Sequence, residues 1–182
     1  MKRIILLVVI LGLGWFFRYP LEGLVISPFI KSSKEEVFVK TFMQTCVQHI
    51  SNTQTIKSLA TSQRWPHVDQ EAIEKFKIYA DSHPEGWGMP DETYIAISYD
   101  NTSYGKAATC MIVKKSLRGF WVVPSLLSKF HFASPDYDSY LNPTTRIRDW
   151  VTHNQGKKQR IGIIEYATEP SWVVLVASET LH

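Results

Sequence analysis

An α+β domain behind an apolar N-terminal segment is the fold class that this sequence predicts. Helices are expected on one face of an antiparallel β-meander of about five strands. Two observations carry this. Apolar residues recur with a helical period up to about residue 80 and alternate with period 2 from residue 93 onward. Residues 4–17 carry no charge and follow Lys2 and Arg3. With 45% hydrophobic and 20% charged residues in 182, the chain is neither a disordered tail nor a polytopic membrane protein. Its size suits one core.

The basic start and apolar run are the marks of an export signal. The positive end stays in the cytoplasm, so everything after Arg18 is expected to cross the membrane. A 14-residue helix rises about 21 Å, short of a roughly 30 Å hydrocarbon core, which favours a cleaved signal. The lack of an A-x-A site, and the belt of Trp15, Phe16, Phe17 and Tyr19 beside Arg18, favour an uncleaved anchor instead. The anchor is the reading adopted: residues 1–18 form a signal anchor or signal peptide, 19–32 a juxtamembrane connector, and 33–182 one periplasmic domain. Of the 20 basic residues, Lys2, Arg3 and Arg18 lie in the first segment, leaving 17 against 17 acids. So balanced a body argues against nucleic acid as a partner.

Ser33 to Glu36 reads as a capping box. Val39, Phe42, Met43, Cys46, Val47 and Ile50 then share one face of a helix over 34–50, with Cys46 toward the core. Ile56, Leu59 and Ala60 mark a short second helix. Ala72, Ile73, Phe76, Tyr79 and Ala80 mark a third that starts near Asp69. Residues 81–92, with two prolines and two glycines, read as loop. Residues 93–99 and 107–113 read as a hairpin, 120–123 as a short strand or strand extension ended by Pro124, and 125–131 as one or two helical turns. The stretch 133–142 reads as irregular, and 146–152, 160–167 and 172–178 as three further strands.

Cys46 and Cys110 are the only cysteines. In an oxidising compartment an isolated pair is expected to bridge. Two buried free thiols and a reactive cysteine are the alternatives. No zinc-ligand spacing surrounds them, and no metal or cofactor is expected.

The helix segment Phe42, Met43, Gln44, Thr45, Cys46, the loop Gly86, Trp87, Gly88 and the strand Thr109 to Val113 together resemble a diffuse group of small, uncharacterised exported proteobacterial proteins. The likeness covers residues 34–131. It implies export, one helix-to-strand disulfide and an α+β fold, and it brings no catalytic residues. The chain departs from the group in lacking a small-residue cleavage site and in continuing its C-terminal strands further.

No catalytic signature is present. The six histidines, His49, His67, His83, His131, His153 and His182, lack metal-ligand spacing, and no nucleophile elbow or phosphate loop occurs. Lys114, Lys115 and Arg118, and Lys157, Lys158 and Arg160, are the basic clusters. Both fall in expected turns, either as solvated loop tips or as contacts for anionic headgroups. Trp87 and His131 complete the candidate binding residues. The short export anchor, the expected disulfide-stapled compact domain and the lack of catalytic motifs suggest a non-catalytic binding domain, tethered to the inner membrane, for a protein, peptide or envelope component, with immunity to a toxin as one form. The alternative is an envelope hydrolase using His131 or His83 with loop carboxylates.

Overall fold

Residues 33–74, 76, 84–102, 105–154, 156–168 and 170–180 are described by a computed structural model. The expected anchor (1–18) and connector (19–32), along with His83 and His182, lie outside the described residues. Among the described residues no helix is long and apolar enough to cross a membrane.

The first helix, α1, spans Ser33–Phe42 and passes directly into a π-helical turn, Met43–Val47, that carries Cys46. One unbroken helix was expected over 34–50. Two threonines give a physical reason for the change. Thr41 donates its hydroxyl to the Val37 carbonyl and Thr45 to the Thr41 carbonyl, at 2.8 and 2.7 Å. Such back-bonding loosens the helical ladder and bends the helix. A 3₁₀ turn, Ile50–Asn52, leads into α2, Thr53–Ser62, whose Ile56 and Ala60 are buried as the periodicity requires. The expected third helix is described at Gln70–Glu74, as α3, and its expected residues Tyr79 and Ala80 lie outside the described residues.

The seven strands form one antiparallel sheet in the order β1-β2-β3-β7-β6-β5-β4. These are β1 Glu85–Met89, β2 Thr93–Thr102, β3 Gly105–Lys115, β4 Tyr137–Asn142, β5 Thr145–Asn154, β6 Lys157–Tyr166 and β7 Trp172–Thr180. The two strands beyond the expected number are the two edges. β1 arises in the expected loop 81–92, and β4 in the expected irregular stretch. Between β3 and β4 runs α4, Gly119–Phe130, with Pro124 inside it. This corrects the reading of 120–123 as a strand. Val122, Val123 and Leu126 are buried and Leu127 and Phe130 partly so, a helical spacing that runs straight through Pro124.

The main core lies between the sheet and α1, α2 and α4, and holds Phe42, Cys46, Ile112, Val122, Ile163 and Leu175. Alternation along the strands exposes the opposite row to a second cluster, where Ile73 of α3 and Phe76 cover Ala96, Met111, Val174 and Val176. Helices therefore cover both faces, not one. Gly86 sits under Ile73, where a Cβ would collide with that side chain and crowd Ala96. Cys46 and Cys110 are joined in a disulfide with Cα atoms 5.3 Å apart, as expected for helix against strand.

Candidate functional site

The helical segment from α1 to α2 runs the length of β3 and orients the whole domain. Near its start Lys34 and Phe38 border the same cleft as Lys114 and Lys115. At the middle Cys46 joins Cys110. Beyond α1, Ser51 donates to the buried carboxylate of Glu179, and Thr53 meets Tyr99. β7 pairs Trp172 with Lys115 and Thr180 with Ala107, and its nine residues span about 27 Å. The sheet thus has a near end, where residue 33 begins, and a far end.

At the near end α1, the β1–β2 turn and the end of β3 enclose a cleft of about 620 Å³. Its apolar wall is Val37, Phe38, Met89 and Leu117, and its cations are Lys34, Lys114 and Lys115. Lys114 donates to the Asp91 carbonyl at 2.8 Å and to the Thr93 hydroxyl at 2.9 Å. Lys115 lies 3.7 Å from Glu92 and 6.0 Å over the ring of Trp172. Three non-glycine residues on the rim hold left-handed backbone: Asp91 (φ 58°), Glu92 (φ 51°) and Ser116 (φ 61°). Each such residue costs of order 1–3 kcal/mol and persists only where its surroundings hold it, a pattern common at ligand sites.

A second cleft, about 300 Å³, adjoins the first through Leu117 and is lined by Arg118, Gly119, Phe120, Glu165, Tyr166 and Trp172. Glu165 forms an ion pair with the buried guanidinium of Arg148. Burial pushes the Tyr166 hydroxyl above its ordinary range.

The candidate binding residues therefore separate. Lys114, Lys115 and Arg118 are brought together at the near end. Lys157 and Lys158 belong to the far end, where Lys157 pairs with Glu179 at 3.0 Å. Arg160 pairs with Asp149 at 3.2 Å. Trp87 is buried and its indole packs against His67, 5.3 Å between ring centroids, so it lines neither cleft. His131 is exposed, caps the C-terminus of α4 in a left-handed conformation, and also stands away from both clefts. Among the described residues no group of three or more histidine, cysteine, aspartate or glutamate side chains is arranged to hold a metal ion.

Sequence reasoning missed Val37, Glu92 and Ser116. Val37 lies off the apolar stripe of α1, 60% exposed, and only its position on the helical wheel, beside Lys34 and Thr41, hints at a second face. The chain matches no family model, no curated protein and no solved structure.

Proposed function

We propose that this is an exported domain, tethered to the inner membrane by residues 1–18, with a non-catalytic role in binding a protein, peptide or other envelope component. Export is supported by Lys2 and Arg3 ahead of the apolar run, and by the Cys46–Cys110 disulfide, a bond that persists in oxidising compartments. A binding role is supported by the near-end cleft, an apolar wall rimmed by lysines with three residues held in strained backbone. That cleft is the observation that carries the reading.

The experiment is an envelope fractionation of the tagged full chain, followed by cross-linking and capture. The protein is expected in the inner-membrane fraction. Capture of its partner is expected to fall at least tenfold in Val37→Asp and Lys115→Glu, and to survive His131→Ala and His153→Ala. A phenotype abolished by one histidine change in a still-folded protein would replace the binder with an enzyme.

A further inference from the structure

We infer that the near end of the domain lies on an anionic lipid surface, through the connector from β3 to α4. The inference rests on the tethered reading above and names what the tethered surface touches. The connector and the residues beside it run Lys114, Lys115, Ser116, Leu117, Arg118, Gly119, Phe120, Trp121. Leu117 is buried and fixes the segment to the body, while Arg118 is exposed. Phe120 and Trp121 are 46% and 37% exposed and lean on each other edge to face, 4.7 Å between centroids. Cations beside exposed aromatic rings suit the headgroup layer. Indole and phenyl rings prefer that depth, and lysine and arginine meet lipid phosphates there.

Of the exposed large apolar side chains among the described residues, Val37, Phe120, Trp121, Tyr140 and Leu141 lie at this end, Tyr137 mid-sheet and Tyr99 at the far end. Val37 lies on the cleft wall. Tyr140 pairs with Arg146, Arg146 with Glu165, Glu165 with Val173 and Val173 with Lys114, which places Tyr140 and its exposed neighbour Leu141 in the near-end row. The two clefts carry the cations Lys34, Lys114, Lys115 and Arg118 against the acids Asp91, Glu92 and Glu165, and Glu165 is already paired with Arg148, so cations are in excess. The tether supplies proximity. Residues 19–32 separate the apolar segment from residue 33, a reach of about 50 Å at full extension. The attachment at residue 33 keeps the near end within that reach of the bilayer. With the near-end surface on the lipid, the far end, with Lys157 and Lys158, points away.

The test uses the full chain in vesicles, with Phe120→Cys or Lys158→Cys labelled by an environment-sensitive fluorophore. The native cysteines are bonded to each other, so the new thiol is the one labelled. Vesicles contain phosphatidylglycerol with phosphatidylcholine, or phosphatidylcholine alone, each with a headgroup-nitroxide quencher. Expected in the anionic vesicles is quenching at position 120 at least twice that at 158. It falls by half or more in phosphatidylcholine alone, in high salt, and in the background Lys115→Glu with Arg118→Glu. Flotation with the vesicles but equal or absent quenching at the two positions overturns this inference and leaves the tether standing. Failure to float with either vesicle overturns both. Equal quenching at 120 in the two lipid compositions overturns the recognition of anionic headgroups. A cross-link from position 120 to an envelope protein, without quenching in vesicles, assigns the surface to a protein and also overturns it.

Discussion

The backbone of Gly119, first residue of α4, lies so close to the side chain of Glu165 on β6 that no Cβ fits between them. The crowding involves the Cγ and Cδ of Glu165 as well as its oxygen, so turning the carboxylate tip does not relieve it. The contact sets a negative charge at the start of a 12-residue helix, where the helix dipole favours it. It also leaves that carboxylate paired with Arg148, which is 2% exposed.

Gly119→Ala is therefore expected to destabilise the domain by about 1–3 kcal/mol through overpacking. The same change in a Glu165→Ala background is expected to cost clearly less, because the obstructing side chain is gone. Denaturant midpoints of the four proteins in this cycle check it. Equal costs in the two backgrounds would show that Glu165 is not what excludes the Cβ.

The disulfide closes a sequence separation of 64 residues. The chain-entropy model values such a loop at roughly 4 kcal/mol. Cys46→Ser or Cys110→Ser is expected to lower stability by about 2–5 kcal/mol, and the double variant is expected to be no worse than either single one. Unfolding with and without reductant checks the same quantity in the wild type. The variants are expected to be insensitive to reductant.

Much of this is legible in the sequence. The helical spacing from Val39 to Ile50 places Cys46 on the buried side, and Cys46 is fully buried. Alternation also placed β2, β3, β5, β6 and β7, the strands with a neighbour on each side. The two edge strands were not legible, because an edge need not alternate. In β1 the sequence Glu85, Gly86, Trp87, Gly88, Met89 reads as a turn, and Gly86 is there to admit Ile73. In β4, Tyr137, Tyr140 and Leu141 stay exposed, so no buried stripe marks it. α4 was misread because its opening Phe120 to Val123 is aromatic and β-branched, the composition of a strand. The site was half legible. The clusters around Lys114 and Lys157 are visible as charge, but their placement at opposite ends follows from register. The left-handed backbone at Glu92 and Ser116 has no sequence signal, since neither is glycine or asparagine.

Glu179 predicts the behaviour in acid. Burial alone would raise its carboxyl, yet hydrogen bonds from Gln159, Lys157 and Ser51 and the charge of Lys157 outweigh it and hold the group below the ordinary 4.5. A carboxyl lowered in the folded state adds stability above 4.5 that is lost as pH falls through its folded value. Glu179→Gln is expected to be less stable at pH 7 and to show a flatter loss of stability below pH 4.5. Urea midpoints between neutral and strongly acidic pH check this. An unchanged acid limb would show that other carboxyls govern it.

Lys157 and Lys158 are neighbours in sequence with different tasks. The Lys157 ammonium sits 3.0 Å from Glu179, whose side chain is 1% exposed and also accepts from Ser51 and Gln159. Lys158 is exposed on the same hairpin. Lys157→Glu would set a second carboxylate against Glu179 and remove one of its donors. The expected cost is about 1–2 kcal/mol, seen as a lower melting temperature, and the cost is expected to shrink when Glu179 is also changed to Gln. Lys158→Glu is expected to change stability by less than about 0.5 kcal/mol. Neither change is expected to alter partner capture or vesicle contact at the near end, about 27 Å away along β7. If Lys158→Glu weakened capture as strongly as Lys115→Glu, the binding surface would have to include the far end, and the near-end cleft would no longer account for it.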